Sequence, residues 1–159
     1  MGTDAIAAFA TVVAAVVAAV SIWFQRRETR LQVGVTASPC FLMAGPDLSD
    51  PVLLIEAANT GSRSVTLNDA GIRLPGPDYK WISLALIGQS NVRFPHELLP
   101  GKSCRAWIGF RELACGPKAD GYAGLTRLIA FYPDQTGRKY ESKPYAFDVD
   151  EWARPAVGG

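Results

Sequence analysis

Apolar positions are spread along this chain in two ways. From Ala5 to Phe24 they run almost unbroken, twenty residues without a charge. From Leu31 onward they come in short bursts, many alternating with polar residues, and Gly, Pro, Asn and Asp separate the bursts. The first pattern predicts a helix about 30 Å long, which matches the hydrocarbon thickness of a bilayer. A backbone in lipid must satisfy its own hydrogen bonds, and a lone segment does so as a helix. The second pattern predicts β-strands joined by tight turns.

Leu31 to Ser38 alternates with period two, as a half-buried strand does, ahead of a loop marked by Pro39, Gly45-Pro46-Asp47 and Asp50-Pro51. Val52 to Ala58 is apolar enough for a central strand. Asn59-Thr60-Gly61 turns the chain, and Val65 to Leu67 and Ile72 to Leu74 continue it. After the break at Pro75-Gly76-Pro77-Asp78, Tyr79 to Ile87 reads as a longer strand and Ser103 to Phe110 as an alternating one. Arg111 to Cys115 is expected to form one helical turn, ended by Gly116-Pro117. Leu125 to Tyr132, Arg138 to Tyr140 and Tyr145 to Val149 complete the set, with Asp134 to Gly137 as a hairpin turn. Seven to nine short strands with regular turn signals predict an all-β sandwich. The expected layout is a short tail at 1–4, a transmembrane helix at 5–24, a basic linker at 25–30, the sandwich at 31–152 and a flexible end at 153–159.

Charge sharpens the reading of the first segment. Arg26, Arg27 and Arg30 flank its C-terminal end, whereas Asp4 and the amino terminus flank the other. Positive residues stay on the cytoplasmic side, so the expectation is a single-pass protein with its N-terminus out and its domain in the cytoplasm. Trp23 and Phe24 fall just inside the arginines, where an interfacial aromatic belt lies. A cleaved signal peptide would carry its positive residues ahead of the run. Ile6 stands where myristoylation needs Ser or Thr. On a helical wheel Ala7, Ala10, Thr11, Ala14 and Ala18 share one half, and the valines share the other. Small residues let helices approach closely in lipid, which makes this a candidate face for self-association or a partner helix; an alanine-rich composition is the plainer explanation.

The net charge is +1, and removing the three arginines, Asp4 and Glu28 leaves 13 basic and 13 acidic residues from Leu31 onward. A neutral domain without a basic stripe predicts no nucleic-acid partner, because phosphate neutralisation dominates that affinity. Three cysteines, Cys40, Cys104 and Cys115, form an odd set without a close pair, which fits a reducing compartment better than a disulfide framework.

Three turn motifs carry a resemblance. Asn59-x-Gly61-x-x-Ser64-Val65-x-Leu67, Leu99-Pro100-Gly101-x-Ser103 and Asp134-x-x-Gly137-Arg138-x-Tyr140 resemble those of bacterial immunoglobulin-like domains, and the last two are similar to those of small membrane-anchored bacterial proteins. The resemblance spans residues 52 to 149 and implies an immunoglobulin-like sandwich held at a bacterial inner membrane. Trp81 lies 41 residues after Cys40, and no Tyr stands two residues before Cys104, so the antibody-type inter-sheet disulfide is not implied.

Candidate chemistry is sparse. His96 to Ser103 ends in Gly-Lys-Ser, yet a phosphate loop needs Gly where His96 stands, and Pro100 has no amide to offer. His96 with three scattered cysteines makes a poor zinc set, and a Cys104–His96 nucleophile pair has no spacing in its favour. Asp148, Asp150 and Glu151 read as a solvated end rather than a calcium site. The expected protein is therefore not an enzyme, holds no cofactor or metal, and serves as a membrane-anchored interaction module. Its partners would be the bilayer and a protein or second copy met through the helix, or through loops at Phe41 to Pro51, Pro75 to Tyr79 and Gly88 to Glu97. The alternative is an envelope-facing domain of opposite topology that binds a ligand or glycan.

Overall fold

The computed structural model describes residues 3–28, 32–44, 47–77 and 80–154, with side chains at 12–25, 32–42, 50–77 and 80–154. The chain is mostly β. In order come α1 (Thr3–Glu28), β1 (Val33–Ala44), β2 (Asp47–Asn59), β3 (Val65–Leu67), β4 (Gly71–Arg73), β5 (Trp81–Ser83), α2 (Leu84–Ile87), β6 (Gln89–Ser90), β7 (His96–Leu98), β8 (Ser103–Gly109), α3 (Phe110–Ala119), β9 (Leu125–Pro133), β10 (Lys139–Glu141), β11 (Tyr145–Asp148) and α4 (Val149–Trp152).

All described strand pairs are antiparallel. One sheet runs β1-β2-β8-β6, a second runs β10-β9-β4-β5 with β11 also on β9, and β3 pairs with β7. Alternation decides which side chains meet. In the first sheet Val35, Ala57 and Cys104 line up, as do Leu53 with Ile108 and Ile55 with Ala106. In the second, Ile72, Leu128, Ala130 and Tyr132 turn the same way, and all of these residues fall in one buried cluster. Tyr132 brings its hydroxyl into that core and donates it to the Ile55 carbonyl at 3.0 Å, tying the two sheets together. Without that acceptor a buried phenol would cost stability. Asn59, 1% exposed, ties the turns: its amide donates to the Arg63 and Leu98 carbonyls.

The expected fold class needs correction in several places. Among the described residues no helix is long and apolar enough to cross a membrane. The described side chains of α1, from Val12 to Gln25, are all exposed. The transmembrane helix, the single-pass arrangement, the inner-membrane placement and the cytoplasmic orientation that rested on it are overturned. In place of seven to nine strands behind one transmembrane helix there are eleven described strands in three sheets, and α2, α3 and α4 lie among them.

The details of this difference have local causes. The loop expected at Pro39 to Pro51 belongs to a hairpin in which Pro39 faces Leu53 and Phe41 faces Pro51, with one irregularity between Phe41 and Met43. Pro39 is tolerated because β1 is an edge strand, and Pro51 because β8 reaches only as far as Val52 on that side. Tyr79 to Ile87 is not one strand. The Leu84 amide bonds the Ala70 carbonyl at 2.7 Å, and the Ser83 hydroxyl donates to Asp69 at 2.6 Å, turning the chain into α2 with Leu84 buried. The single turn expected after Phe110 is the ten-residue α3, which buries Phe110, Leu113, Ala114 and Pro117 and carries Pro117 in its last turn.

Candidate binding surface

The outer face of the five-stranded sheet follows from the same period-two rule. With Leu128, Ala130 and Tyr132 turned inward, Arg127, Ile129 and Phe131 point outward. Arg73 stands opposite Ile129 and Trp81 opposite Arg73. Trp81 is half exposed and meets the Phe131 ring edge-on at 5.7 Å, and the Lys139 ammonium lies 5.2 Å from the same ring. Gly71 is what lets that ring lie flat on the sheet: a Cβ there would sit 2.7 Å from the tip of Phe131.

Beside this aromatic pair the sheet is notched. β9 pairs with β10 at Phe131 to Pro133 and with β11 at Leu125 to Leu128, and the chain crosses from one to the other through Pro144. Ile129 lies between the two pairings. A cleft of about 400 Å³ opens there, bounded by Arg73, Pro75, Arg127, Ile129 and Pro144. The loop wall is fixed by the Tyr122 hydroxyl, which donates to the Pro75 carbonyl at 2.6 Å. Arg73 pairs with Glu141 at 3.1 Å. No carboxylate among the described residues pairs with Arg127.

The expected site residues fare differently. Trp23 and Phe24 are exposed on α1, their rings edge-to-face at 5.2 Å. Ala14 and Ala18 are exposed on the same helix. The side chains of Ala7, Ala10, Thr11, Arg26, Arg27 and Arg30 lie outside the described residues. Of the three loops, the one after Leu74 supplies the cleft wall at Pro75 to Pro77, Leu42 and Asp50 of the first border a cleft of about 430 Å³, and Gly88 to Phe94 borders one of about 360 Å³ with Leu84.

The tested chemistries come apart. His96 stands on β7 opposite Leu67, while Cys104 is fully buried on β8. Burial pushes the Cys104 thiol up to about 11, with the Ala57 backbone pulling the other way and the nearby Glu56 charge adding to the rise. A thiol held protonated is a core side chain, not a nucleophile. Leu99 to Lys102 is a turn into β8, with Gly101 at φ 72°. The acidic end is structural, which corrects the reading of a solvated tail. Asp148 caps α4 by accepting from the Asp150 and Glu151 amides, and Asp150 binds Lys118 and the Gly124 amide.

Among the described residues Asp134 is the buried acid. Burial alone would raise its pKa, but bonds from Thr136, Tyr140 and the Arg138 amide prevail and hold it below the usual carboxylate value. It braces the β9–β10 turn, on the far side of which Lys139 reaches Phe131.

Arg73 and Arg127, which give the cleft its charge, escaped the sequence reading. The signal was present: alternation through Leu125 to Tyr132 puts Arg127 and Ile129 on the solvent side together. What could not be read was the neighbour across the sheet, Arg73, because register between distant strands is set by the whole core.

No protein-family model matches the chain, and no curated protein does. Among solved structures it is similar to a crystal structure described as the ApaA protein of Bordetella pertussis, at 14% identity and a TM-score of 0.40, over 75% of this chain and 93% of that one. It is also similar to an X-ray structure of a structural-genomics target, at 11% identity and a TM-score of 0.35, over 82% and 92% of the two chains. Likeness at this level establishes no family and no function.

Proposed function

We propose that this chain is a non-enzymatic interaction module that meets its partner through the outer face of its five-stranded sheet. One observation carries the reading: Trp81 and Ile129 stand in solvent reach on a rigid sheet, next to two guanidinium groups and a ready-made cleft. Aromatic and arginine side chains contribute most where partners anchor. A flat sheet face with an edge strand such as β5 also suits recognition by extended segments. The tether once expected for this module is not part of the proposal.

Affinity capture from the native host tests it, comparing the full chain with the double variant Trp81→Ser/Ile129→Ser. A partner held by the unaltered chain and lost by the variant, with the variant still unfolding in one cooperative transition, is the expected result. A capture profile identical for both would contradict the reading.

A further inference from the structure

The charge of the domain is balanced overall, but it is not balanced on this face. Among the described residues Arg73, Arg127 and Lys139 point outward there, and Glu141 pairs with Arg73. The opposite sheet keeps its outward charges matched, Glu56 with Arg105 at 3.3 Å. Among the described residues the positive charge therefore gathers around the notch at Ile129, where the guanidinium of Arg127 stands without a carboxylate partner.

We infer that the cleft takes a carboxylate of a partner peptide, seated on Arg127 and Arg73, with a neighbouring apolar side chain on Ile129 and Pro144; this rests on the interaction reading above. Guanidinium and carboxylate match as planar forks, and the pairing gains strength where water is partly excluded. The cleft floor is aliphatic and its walls are prolines, which suits a leucine-like side chain better than a stacked base. Two or three cations in so small an area are too few to hold a polyphosphate backbone, whose affinity grows with each phosphate neutralised. Two sources of carboxylate fit the same chemistry, an Asp or Glu side chain and a chain terminus.

Three short peptides separate the possibilities by NMR titration of the isotope-labelled full chain. Acetyl-Leu-Asp-Leu-amide offers a side-chain carboxylate, acetyl-Leu-Leu with a free end offers a terminal one, and acetyl-Leu-Asn-Leu-amide offers neither. At least one acidic peptide is expected to shift the amides of Arg73, Arg127 and Ile129, and whichever binds tighter names the source. The Asn peptide should bind about tenfold more weakly, the usual worth of a charge-assisted hydrogen bond. Arg127→Gln should erase the difference between the acidic and Asn peptides, and Arg127→Lys should restore part of it. Equal binding of all three, shifts confined to other surfaces, no shift at all, or displacement by a short oligothymidylate would each overturn the inference. A partner captured in a Trp81- and Ile129-dependent manner would in that case still stand, so the two failures can be told apart.

Discussion

The outer faces of the two sheets are built from the same alternating pattern yet end in opposite states. On the four-stranded sheet polar groups answer one another: Glu56 pairs with Arg105, and the Trp107 ring nitrogen donates to Gln89 at 3.0 Å. On the five-stranded sheet Trp81 lies across Phe131, Ile129 floors a cleft, and among the described residues Arg127 has no carboxylate partner. The four-stranded sheet also borders a cleft, of about 430 Å³ beside Val52, Gln89 and Trp107, so the two faces differ in how their charges are answered more than in relief. A face that leaves aromatic surface and a guanidinium at a notch pays for that exposure in solvation, and such a surface invites a ligand.

The largest effect should come from crossing between the two sides of one strand. Leu128, 1% exposed, and Ile129, half-buried, are neighbours on β9 that face opposite ways. Leu128→Ala should cost about 2–5 kcal/mol by removing core contacts and leaving a cavity. Ile129→Ser should cost under about 1 kcal/mol. Denaturant unfolding measures both, and equal losses would break the distinction between packing side and binding side.

Gly71→Ala comes next. The added methyl meets the Phe131 ring, itself penned by Trp81 and Lys139, so about 1–3 kcal/mol should be lost. Trp81 fluorescence should shift as the ring yields. A neutral substitution would mean the aromatic pair is loosely held.

Asp134→Asn should cost about 1–3 kcal/mol, because a buried carboxylate with several donors loses its charge-assisted bonds. The pH dependence has a definite sign. Asp134 has a folded pKa below its ordinary value of 3.8, so its stabilisation is fully present above that value and fades as pH falls through the folded one. The unaltered chain should therefore lose more stability on acidification than Asp134→Asn does. Parallel curves for the two would contradict the assignment.

The smallest effect is expected on the self-satisfied face. Glu56→Gln removes a pair whose partner Arg105 is half exposed, and the loss should stay below about 1 kcal/mol.

Much of the fold was legible in the sequence wherever period and turn chemistry agreed. β3, β8, β9, β10 and β11 fall close to where alternation put them, bounded by turn residues such as Gly101 and Gly137 at positive φ. The misreadings share a cause: a local signal overruled by a distant partner. Pro39 and Pro51 look like breaks until one knows which side of each strand is free. Tyr79 to Ile87 has strand propensity throughout, but Asp69 and Ala70 capture its second half. The helical turn after Phe110 grew to ten residues because Leu113, Ala114 and Pro117 share a buried side. α4 carried a readable cap in Asp148, mistaken for a solvated acid. The apolar run at the N-terminus was read correctly as helix, but its length in residues was taken as a bilayer span that the described residues do not support. The proposed binding face was legible by halves, Arg127 and Ile129 from the period of one strand, Arg73 and Trp81 only from the register of three.

The most direct test places a photo-activated cross-linking residue at position 129 and, separately, at position 56, the matching outward site on the other sheet, in the full chain inside its host. A discrete cross-linked species from 129 and none from 56 is the predicted outcome. A discrete species from 56 alone, or indistinguishable patterns from both, would contradict the claim that the five-stranded sheet presents the binding face.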